Sequence, residues 1–382
     1  MIIVVAMNAF KGSLTSLEAG MAVRRGIEEA LPRVHRVEVY PVADGGDGTV
    51  AALTNENTGG ILHRAEVPGP LLDPVLASYG TLGHTAIIET AAAAGLSLIP
   101  EKNRNPMNTT TFGVGCLIRH ALSGGYRRFI IGLGGSSTTD AGLGMLTALG
   151  CVFSGRNNTP AGITGKDLIK VSSVTTHHVE PLLSECTFRV ACDVNNPLYG
   201  PRGAACVYGP QKGASEEEVL FLDRGLRHFA RIASASGCFT NKADTAHIPG
   251  AGAAGGLGYA FLHFLNASLQ SGVDLIMESL NLEEAISRAS LVITGEGKID
   301  FQTFMGKAPA GIARLAKKHH KKIIAFCGTS DFTPADQVTA CFDDCCVVTP
   351  PGMATSTAMQ HGALLLQHAV SDYFSLSNNL DR

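Results

Sequence analysis

The sequence predicts an α/β protein of two domains, in which a parallel-sheet domain is built from both ends of the chain and a second α/β domain is inserted between them. Three observations predict it. The chain has 382 residues, enough for two domains at roughly 150 residues each. A strand–helix–strand rhythm opens the chain and returns near its end. Between those two stretches the rhythm changes, and glycine-rich loops separate the elements.

The elements follow in order. Ile2–Ala6 is a continuous apolar run, the pattern of a strand buried on both faces. A turn over Lys11–Ser13 leads to Thr15 and Glu18, whose T-x-x-E spacing is a capping box. Leu17, Met21, Ile27 and Leu31 then form the apolar stripe of a helix that stops before Pro32. Val37–Val42 is a second strand, and a βαβ unit of this kind is parallel. Late in the chain Leu291–Thr294 reads as a strand, Ala308–Lys318 as a helix, Lys322–Cys327 and Cys345–Val348 as strands, and a last helix falls within Ser356–Phe374. The middle supplies strands at His84–Thr90 and Phe129–Gly132, with helices at Thr111–Leu122, Ala141–Leu149, Glu216–Ser234 and Gly255–Leu269.

Composition narrows the function. There are 30 Lys plus Arg against 33 Asp plus Glu, a net charge of −3. That balance gives neither a basic footprint for nucleic acid nor a polyacidic tail. Hydrophobic residues make up 45%, which excludes disorder. Glycine is the outlier, at 44 residues without a G-X-Y period. The surplus must serve turns, close packing, or backbone brought near a ligand. The ten cysteines form no CxxC and no zinc-finger spacing, so they read as free thiols in a reducing compartment. The N-terminus has no basic leader, and no run of about 18 apolar residues is long enough to span a bilayer. A cytoplasmic protein is expected.

Six segments can carry chemistry. Asn8–Ser13 follows the first strand and opens a helix, where free N–H groups, Lys11 and Ser13 suit an anion; the plain alternative is a solvated βα loop. Ala43–Thr49, with Asp44 and Asp47 among glycines, can hold Mg²⁺ or substrate hydroxyls, or be a turn and a helix cap. Gly132–Gly144 runs from a strand through Gly134, Gly135, Ser136, Ser137 and Thr138 into a helix, an anion nest without the Walker sequence. Asp140 within it can cap that helix or bind a metal.

Gly250–Gly258 contains a formal GxGxxG at Gly250, Gly252 and Gly255, but Pro249 precedes it where a dinucleotide fold needs a strand. A glycine-rich helix start near phosphate is the better reading, with close helix packing as the alternative. Thr294–Asp300 places Glu296, Lys298 and Asp300 in a short loop after a strand, the mix of carboxylate and cation that phosphoryl transfer uses. Ala191–Pro197 puts Asp193 just past an apolar strand, a position for a base or a metal ligand. The segment Gly209–Gly213 carries Lys212. The 13 histidines form no ligand cluster, and no GxSxG or HExxH occurs.

Taken together these segments resemble the bacterial glycerate kinases of the two-domain type. The matching stretches are FKGS, ADGGDGT, NPMNTTTFGVG, GLGGSSTTDAGLGML, ACDVNNPL, YGPQKGAS, PGAGAAGGLG and ITGEGKIDFQT followed by GKAP, in family order from Phe10 to Pro309. The part after Gly328 matches poorly. The resemblance implies a discontinuous flavodoxin-like domain, over 1–65 plus 286–382, with an inserted α/β domain over 66–285. It implies ATP-dependent, Mg²⁺-assisted phosphorylation of D-glycerate to 2-phosphoglycerate. Two departures stand out. Asn8 occupies a position where many members carry Asp, and Thr139-Asp140-Ala141-Gly142 replaces an Asn-Asp-Gly-Gly turn.

On this basis Lys11 and Ser13 are expected to meet an anion, the substrate carboxylate or the transferred phosphate. Ser136, Ser137 and Thr138, with Gly134, Gly135, Gly252 and Gly255, are expected to cradle ATP phosphates. Asp193 is the first choice to orient the attacking hydroxyl and Asp300 the second. Asp44, Asp193 and Glu296 are the candidate Mg²⁺ ligands, Asp44 and Asp47 also candidates for substrate hydroxyls, and Lys212 and Lys298 the transition-state cations, Lys212 being a substrate contact as well. Glycerate and ATP are the expected partners, with no nucleic acid and no membrane, in a monomer or homodimer. Domain closure around the substrates is expected, because a kinase must keep water from the phosphoryl group. The alternatives are a 3-phosphoglycerate product or a related hydroxy acid, a dinucleotide oxidoreductase with Asp274 as its ribose ligand, and a non-enzymatic sugar-acid sensor.

Overall fold

The computed structural model describes residues 1–33, 36–176, 179, 181–236, 244–332 and 341–380. Cys238, His177 and His178 lie outside them. The chain forms two compact units: Met1–Asp44 with Ala51–Gly59 and Val273–Arg382, and Gly45–Val50 with Gly60–Gly272.

The first unit is built on five parallel strands: β1 (Ile2–Met7), β2 (Arg36–Val39), β11 (Leu291–Ile299), β12 (Lys322–Ser330) and β13 (Asp344–Val347). Their order is β13-β12-β11-β1-β2. Counted within the unit this is 2-1-3-4-5, the flavodoxin-like arrangement, whose switch point lies between β1 and β11. Helices cover both faces, which explains the unbroken apolar runs. On one face Ile3, Val5, Ile293 and Phe326 pack with Val23, Ile27, Leu366 and Val370 from the helices Ser16–Ala30 and Gly362–Leu380. On the other, Val4, Val292, Ile323 and Ala325 meet Ile286, Ile312 and Ala316.

Local chemistry sets the helix ends. Thr15 accepts from Glu18 N at 3.2 Å while Glu18 Oε2 accepts from Thr15 N at 2.8 Å, completing the capping box. The helix Ala308–Lys318 begins with Pro in its first turn and ends on Lys317 and Lys318, as the helix dipole favours.

Three differences from the sequence expectation matter for the site. The charged segment after Thr294 is not a loop. β11 runs on to Ile299, and Lys298 and Ile299 stay paired with Thr329 and Ser330 of β12. Only glycine lets the strands lie this close, since a Cβ at Gly295 would come 1.8 Å from Phe326 O. β2 ends earlier than expected, yet Tyr40 N still donates to Val5 O and Val42 N to Met7 O. The last helix is two, Thr355–Gln360 and Gly362–Leu380.

The second unit carries a six-stranded mixed sheet of β3 (Ile61–Pro68), β4 (Pro74–Leu82), β5 (Thr85–Glu89), β6 (Arg128–Gly132), β9 (Thr187–Ala191) and β10 (Ser268–Gln270), in the order β10-β9-β6-β5-β4-β3. β7 (Val152–Ser154) and β8 (Ser173–Thr175) form a separate antiparallel pair. The β3–β4 hairpin has no counterpart in the sequence expectation. β3 is an edge strand, with only Ala65 and Val67 buried and prolines closing the hairpin's far end, so its apolar signal is thin. The core gathers Phe129, Phe188, Phe229, Tyr259 and Phe261.

Candidate active site

In the first unit a cavity of about 480 Å³ opens at the carboxyl ends of the parallel strands, the edge where open α/β sheets take their ligands. Lys11, Lys298 and Lys307 line it, as do Asp44, Glu296 and Asp300. These charged side chains come from the loops after β1 and β2, from the extended end of β11, and from the turn that follows it. A different set of residues, from Val348 to Leu365, lines the cavity without a single charge.

Hydrogen bonds fix the carboxylates. Asp44 Oδ2 accepts from Asn8 Nδ2 at 3.1 Å and Oδ1 accepts from Ala308 N at 2.9 Å. Asn8 is thus a positioning donor to Asp44, a task its amide performs and a carboxylate in its place would not. Glu296 is 6% exposed and accepts from Thr303 Oγ1 at 2.6 Å. Burial raises its pKa above the ordinary carboxylate value, and the neighbouring charges of Asp44 and Asp300 push the same way. Asp300 caps the short helix Phe301–Met305 by accepting from Gln302 N at 2.9 Å, and Lys307 Nζ lies 3.9 Å from its Oδ1.

Of the expected cations, Lys298 is held by Asp331 at 2.8 Å, an exposed pair worth little and easily exchanged. Lys11 is exposed and has no ion pair among the described residues. Ser13 does not offer a free hydroxyl, because its Oγ donates to Met359 O at 2.6 Å. Lys307 is the cation that sequence reasoning left unassigned; its signal was a Gly-Lys just before a helix.

In the second unit the Gly134–Thr138 loop is tied to neighbouring segments. Ser137 Oγ donates to Ala94 O at 3.0 Å, so it is not a spare phosphate donor. Lys212 Nζ reaches in and donates to Ser136 Oγ at 2.9 Å and Thr138 O at 2.6 Å. Lys212 is 3% exposed, and burial pulls its pKa down to about 7, with Asp140 opposing. Asp140 is itself fully buried and accepts from Thr111 N, Thr111 Oγ1, Gly142 N and Gly144 N, which settles it as a cap and loop anchor. Thr138 Oγ1 and Thr139 Oγ1 are buried without a hydrogen-bond partner among the described residues.

Gly252 and Gly255 are packed against neighbouring backbone. A Cβ at Gly252 would lie 2.2 Å from Pro197 O, and one at Gly255 only 1.9 Å from Thr138 O. Ala254, Gly255 and Gly256 are all left-handed, so the segment wraps the loop backbone and then enters its helix. Close packing, the plainer reading, accounts for both glycines.

Asp193 is exposed, and its Oδ1 accepts from Gly272 N at 3.0 Å. Asp47 is exposed, and a side chain at Gly135 would come 3.2 Å from its Oδ1. Sequence reasoning missed Glu89, at the carboxyl end of β5. It accepts from Val50 N at 2.7 Å, and burial raises its pKa. A lone Glu ending a strand was the only available signal.

No group of three His, Cys, Asp or Glu among the described residues can by itself hold a metal ion. The nine described cysteines are free thiols. No described helix is long and apolar enough to cross a membrane.

Comparison with known proteins agrees with this geometry. A sequence model of the glycerate kinase family matches residues 3–378. The chain is 45% identical over 329 residues to the glycerate 2-kinase of Escherichia coli K12, covering 86% of this chain and 85% of that one. It is 40% identical over 376 residues to the glycerate kinase of Bacillus subtilis 168, covering 97% and 96%. A crystal structure described as a glycerate kinase 2 from Salmonella typhimurium LT2 superposes with a TM-score of 0.90 at 37% identity, over 100% of this chain and 99% of that one. Family match, relatives and sheet order coincide: the chain belongs to the glycerate kinase family.

Proposed function

We propose that this protein transfers the γ-phosphoryl group of ATP to the 2-hydroxyl of D-glycerate, giving 2-phosphoglycerate and ADP, in a reducing, cytoplasmic setting that suits its free thiols. The observation that carries the reading is the first unit's cavity, where three lysines and three carboxylates surround one space at the sheet's switch point. Phosphoryl transfer asks for that mixture, cations for the phosphate oxygens and carboxylates for metal and hydroxyl.

The geometry supports giving the phosphates to the first unit's cavity and the substrate carboxylate to Lys212. Glycerate has seven heavy atoms, which fill at most about 210 Å³ even at the roughly 30 Å³ of a liquid water each. The cavity of about 480 Å³ is over twice that, so it suits the triphosphate, met by Lys11, Lys298 and Lys307. Lys212 suits the small carboxylate of glycerate. Two of its three N–H bonds are placed by the protein, one of them on the Thr138 carbonyl, and the buried hydroxyls of Thr138 and Thr139 have no partner among the described residues. Asp193, in the same unit, is assigned to orient the attacking hydroxyl.

Asp44, Glu296 and Asp300 do not make a complete metal site by themselves, but one or two of them could share a Mg²⁺ with the substrate phosphates. They are hard oxygen donors whose mutual repulsion a cation would relieve, and Mg²⁺ is commonly held by one or two carboxylates plus substrate phosphates. When bound, the ion would offset the charge of the phosphate oxygens. The protein's own part is to hold the phosphates with lysines and to fix Asp44 through Asn8 and Ala308 N. Incubation with ATP, Mg²⁺ and a panel of hydroxy acids, followed by ADP release and phosphorus NMR, tests the reading. A 2-phosphoglycerate signal is expected; no ADP release with any acid, or a 3-phosphoglycerate signal, defeats it.

A further inference from the structure

The first unit's cavity is larger than its charged part requires. Its apolar lining comes from Phe10, Val348, Met353, Ala358, Met359 and Leu365. Phe10, Val348 and Ala358 are buried, whereas Met359 is 37% exposed. Every cavity-lining residue from Val348 onward is uncharged. The segment is pinned in place at both ends of the wall. Val348 N donates to Cys327 O at 2.8 Å, and Ser13 Oγ donates to Met359 O at 2.6 Å. That second bond ties the helix Thr355–Gln360 to the very loop that carries Lys11.

We propose that this apolar side is the subsite for the planar base of the nucleotide. It rests on the kinase reading and adds to it the seat of the nucleoside. A nucleoside triphosphate has one flat, weakly polar end and one highly charged end. The cavity's lining has both characters, an uncharged stretch from the C-terminal segment and three lysines carried by other segments of the chain. Flexible methionines and an aromatic ring adapt to the face of a base, and such stacking needs no charged partner. Glycerate, which is polar along its whole length, has no use for this wall.

Calorimetry with ADP and with inorganic tripolyphosphate, at fixed Mg²⁺, tests the subsite, because only ADP carries a base. Ala358→Trp fills the wall, and Met359→Ala thins it at a partly exposed position that tolerates truncation. Ala358→Trp is expected to weaken ADP by about tenfold or more, the order of one lost stacking contact. Tripolyphosphate should stay within about twofold in the same variant. Met359→Ala should weaken ADP in the same direction by about threefold and covers the case in which the larger side chain prevents folding. Unchanged ADP affinity in folded variants, or equal losses of both ligands, overturns the subsite. Wild-type turnover separates the two ideas. A wild type that binds ADP with this pattern but makes no phosphoglycerate defeats the reaction and keeps the subsite. A wild type that turns over, while its variants bind ADP normally, defeats the subsite alone.

Discussion

Lys212 Nζ donates to Ser136 Oγ at 2.9 Å from a position that is 3% exposed. The ammonium has neutral oxygens as its hydrogen-bond acceptors, and the nearest assigned charge, Asp140, is spent on four other donors. Burial therefore dominates and lowers the pKa to about 7. In the unfolded chain the same lysine keeps its proton to above pH 10.

The sign of the resulting pH dependence is definite. Between about pH 7 and 10 the unfolded state binds more protons at this residue, so stability rises with pH across that window. Below it both states are protonated and the buried charge exerts its full cost. Denaturant unfolding of wild type and Lys212→Met at pH 7 and pH 9 should show a smaller pH gain in the variant. Parallel pH profiles would remove Lys212 from the account.

A carboxylate seated on Lys212 must draw a proton onto it. Above pH 7, glycerate binding should take up a proton, and KM for glycerate should rise as pH climbs from 7 to 9. Calorimetry in two buffers of different ionisation enthalpy reads the uptake. Identical heats in both buffers at pH 8 would exclude this seat.

Asp193→Asn should lower kcat by about 100-fold or more while leaving KM for ATP nearly unchanged, the size expected for loss of a group acting on the reacting proton. Steady-state kinetics with both substrates decides it. Near-normal turnover would end the assignment.

Lys11→Ala should raise KM for ATP by about tenfold, or roughly 1.4 kcal/mol. A rise confined to KM for glycerate would instead favour the other expected role, in which this loop holds the acid.

Thr15→Ala should cost about 1 kcal/mol through loss of the capping box, with kinetic constants unchanged. Gly255→Ala should cost roughly 3 kcal/mol or prevent folding, because it combines a left-handed backbone with a clash on Thr138 O. Unfolding curves of the two variants give both values. A mild effect at Gly255 would mean the loop yields easily.

Much of this was legible in the residues. The capping box, the helix Ala308–Lys318 and the parallel strands rest on local periodicity and end signals, which need no tertiary knowledge. The β3–β4 hairpin was not legible, since an edge strand buries only Ala65 and Val67 over that stretch. Lys212 could be picked out by its motif, but its burial could not, because that depends on a loop 76 residues away in sequence. Gly252 and Gly255 looked like phosphate glycines for an equally physical reason. A chain that must let backbone pass at close range and one that must admit a phosphate use the same residue.

The extension of β11 through Glu296 and Lys298 has one further consequence. Strand geometry alternates sides at every residue, and pairing with β12 continues to Ile299, which is fully buried. Deleting or inserting one residue between Thr294 and Ile299 would therefore turn the glutamate away and drive a charge toward the apolar layer. The segment is therefore fixed in length, and across related chains gaps should be absent from it.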